Sequence, residues 1–205
     1  CRHVTLASSF MTDPTVPDAS TEAVIAATVK WLERAVIGLN LCPFAKAVHV
    51  KGQIRYVVSE ATTPEALADL QREMEFLAEA SAERVDTTLL IHPKVFTDFL
   101  DHNDFLDVAD GMLEELELDG ILQVASFHPQ FQFEETEPDD ITNFTNRAPF
   151  PILHLLREDS VERAVAAFPD DQEIASENIA TLEKLGHDGW DALWSDAPSR
   201  RESKK

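Results

Sequence analysis

Apolar residues along this chain keep two different rhythms. Across residues 21–39, Ile25, Val29, Leu32, Val36 and Leu39 recur at three- and four-residue steps, which makes one buried stripe on a helix. Gly38 and Asn40 are breakers near its end and Pro43 blocks continuation, so Cys42 falls just beyond a helix C-terminus. Three runs rich in β-branched and apolar residues then read as strands: 54–58, after a Lys51-Gly52 turn signal, 87–91 and 121–127. Between the first two, Thr63 and Pro64 open a helix whose inner face is Leu67, Leu70, Met74 and Leu77. Between the second and third, residues 104–116 put Phe105, Val108, Met112, Leu113 and Leu116 on one face of another helix.

Alternation of strand and helix with short connections predicts an α/β fold, with a small central, mainly parallel sheet of three to four strands covered by helices. A ferredoxin-like α+β arrangement is the alternative, and residues 48–50 are a candidate antiparallel edge strand. Further helices are expected from the Asp159/Glu162 cap to Phe168 and from Asp170/Glu173 to Gly186. Trp190 and Trp194 are spaced to share a helix face packed on the body. Residues 20–195 form one domain, between a flexible arm (1–19) and a frayed polar tail (196–205). Met11 reads as the natural start. An acylated Cys1, the competing reading, lacks the usual polar tether.

Charge narrows the function classes. The 205 residues carry 38 acids against 17 Lys and Arg, a net charge of −21, which argues against a nucleic-acid partner. No Lys or Arg occurs between Lys94 and Arg147 while acids recur throughout, the pattern of a solvated face. No apolar run approaches the roughly 18 residues that span a bilayer, so no membrane role is expected. Apart from Cys1 there is only Cys42, so no disulfide framework is built, and the expected location is the cytoplasm. No oligomeric state is signalled.

Candidate chemistry gathers at the strand ends and in the stretch from His128 to Glu158. In parallel sheets ligands bind at the carboxyl ends of strands, here Ser59-Glu60, His92-Pro93 and His128-Pro129. After His128 the chain loses periodicity but keeps Phe131, Phe133, Phe144 and Phe150, which points to a loop pinned to the body. A short helix starting at Pro151 would place His154 and Arg157 on one face. The expected function is a small enzyme acting on an anionic small molecule. His128 or His154 would be the acid–base group, Cys42 a candidate nucleophile, and Asn143, Asn146, Arg147 and Arg157 would bind substrate. His128 and at least two of the loop groups are expected to line one pocket bordered by Cys42. The alternative is a non-catalytic protein that binds a partner or a metal. His92, His128 and His154, with Glu60 or Asp139, would supply a divalent site of the Zn or Fe type. No nucleotide-binding fingerprint, HExxH, CxxC or Gly-x-Ser-x-Gly motif is present.

The segments WLERAVIGLNLCPFA, DGILQVASFHPQFQF and DDITNFTNRAPFPILHLLRE resemble the DUF1415 family, over roughly Thr21 to Trp190. The resemblance implies a cytoplasmic bacterial-type protein. It brings no established activity and no catalytic residues, so the functional reading rests on the residues themselves.

Overall fold

A computed structural model describes residues 20–61, 63–167 and 171–195. Helix α1 (Thr21–Trp31) is capped by Ser20, whose side chain accepts the Ala23 N–H, and its last turn widens into a π-helix, Leu32–Ile37. Asn40, in the left-handed conformation (φ 57°), reverses the chain, as its breaker chemistry predicts. Residues expected as an edge strand instead end helix α2 (Ala45–Val50), which runs through Gly52 into β1 (Ile54–Val58). Then come α3 (Thr63–Glu79), β2 (Thr87–Ile91), α4 (Phe99–Glu115) and β3 (Leu122–Phe127). Helix α4 starts five residues earlier than its apolar stripe predicts, because the Asp98 carboxylate accepts the Leu100 and Asp101 N–H groups.

Beyond β3 the expectations change. The segment read as a short helix after Pro151 is a strand, β4 (Ile152–Arg157), hydrogen-bonded between β2 and β3 and antiparallel to both. An apolar run buried on both faces has no period of its own, and here the pairing edges of β2 and β3 decided the outcome. The sheet order is β1-β2-β4-β3, with β1 and β2 parallel, so the sheet is mixed rather than mainly parallel. It joins a β1-α3-β2 unit to a split β2-α4-β3 unit with β4 inserted. Helix α5 (Glu158–Ala167) follows β4 directly. Helix α6 (Asp171–Ala192) continues past Gly186, which kinks it at φ 63° rather than ending it. The expected boundaries at Phe168 and Asp170 lie outside the described residues.

Both crossovers move the same way across the sheet, so crossovers of one hand place α3 and α4 on one face. Leu70, Met74 and Leu77 of α3 and Phe105, Ala109 and Met112 of α4 pack there on Leu90, Leu153 and Leu155. The opposite face packs Leu89, Ile91 and Ile152 against Val24, Trp31, Leu32 and Val36, with Leu182 and Trp190 of α6. Trp190 meets Trp194 edge-on, with ring centroids 5.6 Å apart. Alternation along each strand therefore assigns every side chain to one of two cores.

Candidate functional site

One cavity of about 350 Å³ lies on the α1 face of the sheet. Its floor is the strand row Leu89–His154–Ala125, set side by side by the register, with Gln123 and Phe127 two residues either way along β3. Ala125 presents only a methyl group where its neighbours carry larger side chains, which leaves the floor hollow. Trp31, Leu32 and Val36 form one wall and Ser160, Val161 and Ala164 of α5 another, with Cys42 and Phe44 also lining it.

His154 is the polar centre of that floor. Its Nε2 lies 2.7 Å from the Thr87 hydroxyl, and the same hydroxyl donates its only proton to the Leu155 carbonyl, 2.6 Å away. The hydroxyl must then accept from the ring, so Nε2 carries the proton and Nδ1 the lone pair. Nδ1 makes no hydrogen bond among the described residues, and His154 lines the cavity. Burial among apolar walls pushes the imidazole down to about 4, so it is neutral at pH 7. Arg157 also lines the cavity, but its Nε and Nη2 groups reach carbonyls of Leu77, Ala80 and Val85, where they cap the C-terminal end of α3.

His92 and His128, placed by the strand ends, occupy the other face. His128 is fully buried; its Nε2–H donates to the Phe96 carbonyl at 2.8 Å and its Nδ1 accepts the Gln130 N–H at 3.0 Å. Burial lowers its pKa. The bond holds Phe96 in a left-handed backbone conformation (φ 58°) that a phenylalanine rarely adopts. The Phe96 ring in turn contacts His92 and His102, with centroids at 5.2 and 5.7 Å, and His102 lies 5.2 Å from His128. His92 and His102 are fully buried, and none of their ring nitrogens has a hydrogen-bond partner among the described residues. Burial pushes them down to about 4 and about 3; Asp69, held by Ser59 and Arg72, raises His92 slightly against that trend.

The polar loop between β3 and β4 uses its hydrogen-bonding groups on itself. Buried Asn143 accepts from Phe133 N and Thr136 Oγ1 and donates to the Glu137 carbonyl. Asn146 reaches the Ser126 carbonyl at 3.5 Å. Arg147 stacks on Phe144, 4.2 Å from the ring centroid, and donates to the Phe131 and Pro138 carbonyls. It also borders a second cleft of about 310 Å³ with Trp31, Trp190 and Trp194.

The expected residues are thus divided. Cys42 and His154 line the sheet-face cavity, Arg157 borders it with its guanidinium turned to the Leu77, Ala80 and Val85 carbonyls, Arg147 borders the tryptophan cleft, and His128 lines neither. His154 and Arg157, three apart on a strand rather than a helix, point to opposite faces. The sheet likewise separates His154 from His92 and His128, so the three cannot share an ion. Among the described residues no group of three or more His, Cys, Asp or Glu is arranged to hold a metal. Glu60 pairs with Lys94, and the Asp139 carbonyl accepts from His187.

The family model for DUF1415, described as a protein of unknown function, matches residues 23–192. The chain belongs to the DUF1415 family. No curated protein and no solved structure matches it. No helix among the described residues of this DUF1415 chain is long and apolar enough to cross a membrane. Sequence reasoning missed Thr87, Gln123, Ala125 and His102. The period-two alternation of β3 carried a signal for two of them, because Gln123, Ala125 and Phe127 fall on one face.

Proposed function

We propose that this DUF1415 protein binds a small molecule in the sheet-face cavity, with His154 as the group that exchanges a hydrogen bond or proton with it. One observation carries the reading: the Thr87–Leu155 hydrogen bond sets the tautomer of His154, which leaves an unprotonated Nδ1 on a residue that lines a cavity of about 350 Å³. Ligand pockets are usually apolar, with a few placed polar groups, and this floor has that composition. The cavity fits within the range that holds a small organic molecule.

The expected anionic substrate rested on Arg147 and Arg157. Both have donors engaged by backbone carbonyls, and neither stands where His154 does. Cys42 shares the cavity with His154, which keeps a nucleophilic step within the chemistry open to the site. An Ala125→Leu variant fills the hollow of the floor without removing a polar group. We expect it to fold and to lose binding in a metabolite screen read by ligand-observed NMR. Undiminished binding of every hit would move the site elsewhere.

A further inference from the structure

The polar groups of the cavity specify more than its presence. Among the described residues, the Gln123 amide makes no side-chain hydrogen bond; it stands on the cavity face of β3, diagonal to His154. Nδ1 of His154 can only accept, while the Gln123 amide can donate. A hydroxyl, which carries a proton and a lone pair on one atom, can satisfy both. Three rings, Trp31, Phe44 and Phe127, stand among the aliphatic lining, with Trp31 and Phe127 edge-on at 5.0 Å. Rings prefer such edge and offset contacts with a further ring. Asp86 also lines the cavity, and its carboxylate, which accepts from the Ser160 hydroxyl, would repel an anion.

We infer that the cavity takes a neutral aromatic alcohol, whose O–H donates to His154 Nδ1 and whose oxygen accepts from Gln123. The inference rests on the small-molecule reading and adds the ligand class to it. A carboxylate of the same size has no proton to give Nδ1. A plain hydrocarbon would leave Nδ1 and Gln123 without partners in an apolar enclosure, which lowers affinity. The neutral state of His154 at pH 7 supports the assignment, because an imidazolium would offer a donor where the lone pair is needed.

Three matched probes test it: p-cresol, toluene and 4-methylbenzoate, titrated into the full chain at pH 7.5 and followed by NMR. The expected order places p-cresol about tenfold tighter than toluene, the factor for one good hydrogen bond of about 1.4 kcal/mol, with 4-methylbenzoate weakest. Binding of p-cresol should also shift the His154 Nδ1 resonance of the unaltered protein, a readout that needs no variant. In His154→Phe the preference for p-cresol over toluene should vanish while toluene binding remains. Equal affinity of p-cresol and toluene, or 4-methylbenzoate as the tightest probe, overturns the ligand class and leaves the cavity as a small-molecule site. If none of the three binds and Ala125→Leu changes no other ligand's binding, both readings fall.

Discussion

At the scale of single residues, imidazoles of the same kind acquire different roles from their neighbours. His128 has one nitrogen donating to Phe96 and the other accepting from Gln130, so it has no valence left for a ligand. Its work is to hold the strained Phe96 turn. His154 has one nitrogen engaged by Thr87 and the other without a hydrogen bond among the described residues, on a ring that lines the cavity. The two should respond oppositely to substitution. His128→Ala removes a buried ring and two hydrogen bonds and leaves the Phe96 carbonyl unpaired. It should cost about 2–4 kcal/mol of unfolding free energy in a urea titration. A midpoint unchanged from wild type would show that His128 does not anchor the Phe96 turn.

At the scale of elements, the π-helix is the part of the fold with the sharpest local requirement. Its residues Leu32 and Val36, with Trp31 before it, wall the cavity, and the turn is closed by Leu41 N–H donating to the Val36 carbonyl. Gly38 sits at its C-terminal end, where an added Cβ would lie 2.3 Å from the Arg34 carbonyl oxygen. Gly38 is helical in φ and ψ, and in an ordinary exposed helix a Gly→Ala change stabilises by up to about 1 kcal/mol. Here the sign should reverse, because the carbonyl cannot give way without opening the turn. Gly38→Ala is expected to destabilise the protein by about 1–3 kcal/mol and to alter cavity binding with it. A rise in thermal midpoint would refute the close approach.

At the scale of the whole molecule, pH acts through the buried histidines. His92 and His102 lie at about 4 and about 3 when folded, against 6.5 for the free group, because burial opposes their charged form. Between those limits the unfolded chain binds more protons than the native one. Stability is therefore complete above pH 6.5 and is lost as pH falls toward 4, with His92, His102 and His154 together giving about 4 kcal/mol per pH unit. Because net stability is only about 5–15 kcal/mol, denaturant midpoints should drop sharply between pH 6.5 and 5. His102→Leu should flatten that slope by about a third. A midpoint that stays constant from pH 7.5 to 5 would show that these rings are not held neutral in the folded state.

The sequence by itself determined the elements whose period is clean. The α1 stripe, the strands β1, β2 and β3, and the helices between them follow from which side chains must leave water, and that is a local property of the chain. It also marked His92, His128, His154 and Cys42 as chemically notable and the phenylalanine-rich loop as pinned to the body. Only the tertiary structure decided how they group. Residues 152–157 are apolar on both sides of the chain, so nothing local separated strand from helix, and the choice fell to the pairing edges of β2 and β3. That one insertion reversed β4, turned His154 onto the face opposite His92 and His128, and brought it beside Thr87, Gln123 and Ala125. Which face a side chain occupies depends on register, and register is a relation between distant strands that no single stretch of sequence contains.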